Sequence, residues 1–153
     1  MALPVPARLS PEQYLEMERA SDVKHEYWHG EVFAMSGARK DHDRICANLS
    51  FSLQLVLRNG PCDVFTSDMK VGVTKKRGFA YPDFTIACGD QKFYDDVQDV
   101  LMNPCVIFEV LSAGTRKHDT TMKVLEYQRI GITAPLRHDR AGRDAGSAPG
   151  EDG

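Results

Sequence analysis

No apolar run in this 153-residue chain approaches the roughly 20 residues that a membrane-spanning helix needs. Mean hydropathy is -0.38. The opening MALPVPARLS lacks a basic segment followed by a long apolar stretch, so no secretory leader is read. A cytoplasmic protein without a membrane partner is expected. None of the four cysteines forms a CxxC pair, and their gaps match no zinc-ligand spacing. Cys46, Cys62, Cys88 and Cys105 each stand among apolar neighbours and are expected to be reduced, buried thiols. There is no GxSxG element and no phosphate-cradling glycine loop. An excess of positive charge is also missing: 19 Lys and Arg face 22 Asp and Glu, for a net charge of -3. That excludes binding to nucleic acid by bulk charge alone. It leaves open an enzyme that meets phosphate through a bound cation held by acidic residues.

What is present is enough for one domain with a true hydrophobic core. Hydrophobic residues make up 42% of the chain and charged residues 27%. Ser10, Pro11 and Gln13 form a capping-box pattern that predicts a helix through Arg19. Residues 24–35 read as a β-hairpin turning at His29-Gly30. Ile45, Leu49, Ser52, Leu53 and Val56 form a helical stripe, ended by Asn59-Gly60-Pro61. Strands are predicted at 62–66, 69–73 and 81–87, with a polar turn at 75–78. The segment 104–111 is the most hydrophobic and is predicted to be the central strand. A last helix is predicted from about Thr115 to Arg129. The order implies an α/β (α+β) fold, a mixed sheet flanked by helices. Residues 1–131 are assigned to this domain. Residues 132–153, rich in Gly, Ala, Arg and Asp, are expected to be a disordered tail.

Two acids are candidates for chemistry. Asp83 follows Pro82, which belongs at the start or edge of a strand and holds Tyr81 extended. Glu109 sits inside VIFEVL, residues 106–111. An ionised carboxylate in such a segment needs a partner or a metal. The structural alternative is a salt bridge to a buried Lys or Arg, or an exposed edge strand. Two carboxylates on one face of neighbouring strands would suit Mg²⁺ or Mn²⁺ and hence phosphodiester hydrolysis.

LSPEQYL (9–15), KHEYWHGEVFAMSG (24–37), SDMKV (67–71), YPDF (81–84), FEVLS (108–112) and KVLEY (123–127) follow one another in the chain. This ordered set resembles the Uma2 family of restriction endonucleases, within the PD-(D/E)XK nuclease superfamily. The resemblance covers about residues 9 to 130. It implies a restriction-endonuclease-like core, a Mg²⁺- or Mn²⁺-dependent endonuclease activity and DNA as substrate. It implies that Asp83 and Glu109 bind the metal, with Glu26 as a further ligand or as a residue that orients one. The superfamily lysine would stand two residues after Glu109, where this chain has Leu111. The resemblance implies that the lysine stands on the following helix instead, at Lys123, to act on the attacking water or the phosphate. The competing reading of Lys123 is a solvated helix lysine.

After EYQRI (126–130) the strand signals stop. The C-terminus therefore reads as truncated or frameshifted, without the terminal strands. A sheet ending in an unpaired edge is prone to homodimerise. This break and Leu111 favour an alternative function, an inactive nuclease-like module that binds nucleic acid or protein. His25, His29 and His42 lack a closed zinc-ligand set and are expected to be exposed or capping residues. Asp68 and Lys70 are expected to be an ordinary polar strand pair. The Lys75-Lys76-Arg77 run is read mainly as a solvated turn.

Overall fold

The computed structural model describes residues 8–74, 77–111 and 123–132. In chain order the elements are α1 (Pro11–Arg19), β1 (His25–Trp28), β2 (Glu31–Ala34), α2 (Lys40–Leu57), β3 (Cys62–Thr66), β4 (Lys70–Thr74), β5 (Gly78–Ala80), β6 (Phe84–Cys88), β7 (Val100–Leu101), β8 (Val106–Phe108) and α3 (Val124–Arg129). The expected mixed α+β architecture is observed. One sheet has five strands in the order β2-β1-β5-β4-β7, and a second has three in the order β3-β6-β8. All pairings are antiparallel except β4 with β7.

α1 begins as predicted. The Ser10 Oγ accepts from the Gln13 N–H, and the Gln13 side chain accepts from the Ser10 N–H. The β1–β2 turn falls at His29 and Gly30, whose φ angles are +51° and +95°. Glycine at the second position tolerates this left-handed backbone without steric cost.

Strand alternation gives the five-stranded sheet two buried faces. On one, Tyr27, Phe79 and Val100 pack with Tyr14 and Leu15 of α1. On the other, Trp28, Val71, Val73 and Ala80 pack with Ile107, Tyr127 and Ile132. Ile132 is thus buried one residue beyond the expected domain boundary. The tail at 133–153, the predicted helix before Lys123 and most of the Lys75-Lys76-Arg77 run lie outside the described residues.

Three expectations need correction. The first concerns β8, predicted to be central. Among the described residues it pairs with β6 alone and forms the edge of the small sheet. Its apolar residues are covered by packing, with Ile107 in the Trp28 cluster, so hydrophobicity did not imply two neighbouring strands. The second concerns the cysteines. The β3–β6 register sets Cys62 opposite Cys88, and the two form a disulfide across 4.0 Å between Cα atoms. Cys46 and Cys105 are free, and Cys105 is exposed. The third is the stripe on α2. Ile45, Leu49 and Leu53 are half-buried, while Ser52 and Val56 face solvent, and the helix has no fully buried residue. The partly covered face instead includes His42 and Cys46.

Candidate active site

The chain crosses from the large sheet to the small one at Tyr81-Pro82-Asp83, between β5 and β6. Asp83 stands just before β6 and Glu109 just after β8. The β6–β8 register pairs Phe84 with Phe108 and Thr85 with Ile107. One further step in that register sets Asp83 opposite Glu109, and directly opposed residues of an antiparallel pair project from the same face. The Asp83 Oδ2 accepts from the Val110 N–H at 2.6 Å, which fixes the carboxylate beside Glu109.

Glu26 arrives from β1. The two-residue period places it on the face of Trp28, the side covered by α3. Its Oε1 accepts from the Tyr81 N–H at 3.2 Å and lies 2.9 Å from the Lys123 Nζ. The Trp28 Nε1–H donates to its Oε2 at 3.4 Å. Lys123, immediately before α3, also reaches the Glu109 Oε1 at 3.3 Å. The Tyr127 hydroxyl donates to that same oxygen at 2.8 Å. Glu26, Glu109 and Lys123 are all buried, at 5%, 8% and 5% exposure. Lys123 is therefore not a solvated helix lysine. Its ammonium lies between two buried carboxylates and offsets their desolvation.

Glu26, Asp83, Glu109 and Lys123 line one open cavity of about 830 Å³, which also takes in Lys24, Arg39, His42 and Tyr81. Asp83 is mostly buried and carries an ion-pair contact from the His42 Nε2 to its Oδ1 at 3.1 Å. Burial raises its carboxyl above the ordinary range, while the Val110 N–H, His42 and Lys123 act against that shift. The Cys46 thiol is pushed up to about 12 by burial and by Asp83, Asp43 and Glu109 nearby. Tyr81 is held by its neighbours. Its hydroxyl donates to the buried Glu18 at 2.8 Å, and Lys24 and Lys70 stand over its ring. It thereby steadies the backbone that presents Asp83.

The Uma2 family model, described as a "Putative restriction endonuclease", matches residues 11–144. The chain belongs to this family. A protein of Synechocystis sp. is 35% identical over 112 residues, which cover 73% of this chain and 58% of that protein. A second Synechocystis protein is 32% identical over 122 residues, covering 80% and 69%. This Uma2 chain thus matches little more than half the length of the first relative. The crystal structure of a "putative nuclease" from Anabaena variabilis superposes with a TM-score of 0.67 at 14% identity, over 84% of this chain and 73% of that one. The core of this Uma2 protein is accordingly the restriction-endonuclease-like mixed sheet with flanking helices.

All four residues singled out in the sequence meet in the one cavity of this Uma2 fold: Glu26, Asp83, Glu109 and Lys123. His25 and His42 depart from expectation, while His29 is exposed as expected. His25 contacts Glu18 at 2.9 Å and is largely buried, and His42 contacts Asp83. His29, half exposed, lies 3.4 Å from Glu126. Asp68 and Lys70 are not partners: Asp68 pairs with Lys24, and Lys70 is buried and pairs with Asp99 at 2.9 Å. Sequence reasoning missed Tyr127, Tyr81 and His42 as neighbours of the site. For His42, the signal was its i,i+4 spacing to Cys46 on a helix.

Proposed function

We propose that this chain is the core of a metal-dependent DNA endonuclease of the PD-(D/E)XK class. The observation that carries the reading is the single cavity onto which Glu26, Asp83, Glu109 and Lys123 converge. The donor set fits a hard divalent cation such as Mg²⁺ or Mn²⁺, because it consists of carboxylate oxygens, from the buried Glu26 and Glu109 and the partly buried Asp83. Asp83 and Glu109 would hold the ion, with Glu26 as a further ligand or as the group that orients one. Bound there, the ion would polarise the phosphoryl oxygen and lower the pKa of the attacking water. Lys123 keeps a positive charge beside both glutamates, where it can orient that water or meet charge developing on phosphate. Lys24 and Arg39 on the cavity wall suit a phosphate backbone.

The test is nicking of supercoiled plasmid with Mg²⁺ or Mn²⁺. Asp83→Asn and Glu109→Gln should each slow nicking by about 100-fold or more, with unchanged circular dichroism. Undiminished cutting by both variants would reject the assignment. A second reading is a binding module without catalysis, favoured by Leu111 at the usual lysine position and by the ion pairs that already satisfy Glu109. Calorimetry separates the two, since the module should bind no Mn²⁺ in a manner that Asp83→Asn abolishes.

A further inference from the structure

A second, smaller cavity of about 280 Å³ adjoins the first, and His42 and Asp83 line both. Cys46 lines only the smaller one. We propose that His42, Cys46 and Asp83 form a distinct cation site that takes a borderline-soft transition metal of the zinc type. His42 and Cys46 are four residues apart on α2, so their side chains share one helix face. One ligand atom from each of the three residues lies within 4.8 Å of the others. The His42 Nε2 is 3.1 Å from the Asp83 Oδ1, and the Cys46 Sγ is 3.7 Å from the His42 Nδ1 and 4.0 Å from its Nε2. Tetrahedral zinc with bonds of about 2.0–2.3 Å sets its ligand atoms roughly 3.3–3.8 Å apart. With Nε2 as the imidazole ligand, the spacings of 3.1 Å to Asp83 and 4.0 Å to Cys46 fall on either side of that range, and the Cys46–Asp83 pair lies within 4.8 Å.

The donor set argues for the class of metal. Sulfur and imidazole nitrogen disfavour Mg²⁺, which seeks oxygen, and both suit Zn²⁺ or Co²⁺. Three protein ligands leave a fourth position, as in zinc sites that bind water or substrate and unlike closed four-ligand structural sites. That position would open to the small cavity between α2 and the start of β6. The site shares Asp83 with the proposed nuclease centre but uses neither Glu109 nor Lys123, so the two proposals can fail separately.

Cobalt(II) reports the site through a thiolate-to-metal absorption band in the near ultraviolet. The full chain, carrying Cys105→Ser to remove the exposed free thiol, is titrated with Co²⁺ after metal removal. A saturable band is expected that Zn²⁺ bleaches and excess Mg²⁺ does not. Cys46→Ser and Cys46→Ala should both abolish the band. His42→Ala should weaken Co²⁺ binding by about tenfold or more, at least the loss typical of outer-shell changes at metal sites. Glu109→Gln should keep the band, because Glu109 is not one of its ligands. Absence of a band in the Cys105→Ser parent, or its survival in folded Cys46 variants, overturns the site. So does its loss in Glu109→Gln, which would mean one shared centre. Plasmid nicking that depends on Glu109 with no cobalt band would leave the nuclease reading standing and refute only this one.

Discussion

Lys123 is the residue on which the electrostatics of the cavity turn. Its ammonium is buried and lies within 2.9 Å of Glu26 and 3.3 Å of Glu109. Removing one member of a buried ion pair leaves an uncompensated charge, which typically costs 3–5 kcal/mol, more than a hydrophobic replacement recovers. Lys123→Met should therefore lower unfolding stability by about 3 kcal/mol in chelator-treated buffer. Mg²⁺ should restore more stability to this variant than to the parent, because the cation takes over the neutralising role. Urea titrations with and without Mg²⁺ read both effects, and equal stability of variant and parent in chelator would refute the argument. Asp83 is held differently, by the Val110 N–H and by His42. Its position depends on backbone and helix together.

At the scale of elements, β5 was the hardest to read. GFA is only three residues long and follows a polar run, and its Gly78 falls in the predicted turn at 75–78. It nevertheless joins β1 to β4 inside the five-stranded sheet. Gly78 lies opposite Trp28, and a Cβ there would come within 2.5 Å of the indole ring. The ring is fully buried in the core and has little room to move. Gly78→Ala should cost about 1–3 kcal/mol by overpacking. Gly60→Ala is the control. A Cβ at Gly60 meets only the Leu57 carbonyl oxygen at 3.6 Å, an ordinary contact. Denaturant midpoints compare the two, and equal shifts would show that the Trp28 contact does not constrain β5. The capping box of α1 and the His29-Gly30 turn were legible because local chemistry decides them. The face of α2 was less so. Its apolar residues are spread round the helix, and only contact with β3 selects the half-buried side.

At the scale of the molecule, a charge network ties α1 to the large sheet. Arg19 contacts Asp95 at 2.9 Å and Asp99 at 2.7 Å, and Asp99 also contacts Lys70 of β4 at 2.9 Å. The Arg19 hydrogen bonds, followed by that of Lys70, hold the Asp99 carboxyl down at about 2, against an ordinary value of 3.8. Ionised Asp99 therefore stabilises the fold above the ordinary carboxyl range. That contribution is lost as pH falls through about 4 towards about 2. Asp99→Asn should be less stable than the parent by up to about 2 kcal/mol at pH 6. The difference should shrink as pH approaches about 2, and urea unfolding across that interval measures it. A constant difference would mean that the ion pairs do not carry the effect. Among the described residues, no helix is long and apolar enough to cross a membrane.

The amino-acid sequence by itself determined the local elements and the family. Caps, turns and strand periods depend on neighbours a few residues apart, and the ordered motifs at 9–15, 24–37, 67–71, 81–84, 108–112 and 123–127 carried the resemblance. Those motifs also marked Glu26, Asp83, Glu109 and Lys123, although they left open whether Lys123 was solvated. Tertiary structure alone decided which groups meet. The β6–β8 register aligned Asp83 with Glu109, and the β3–β6 register joined Cys62 to Cys88. The packing of α2 brought His42 and Cys46 to Asp83. Such pairings join residues 26 to 41 apart in the chain, and no local propensity spans that distance. They follow from burying both faces of one sheet, which fixes where every polar side chain between those faces must find its partner.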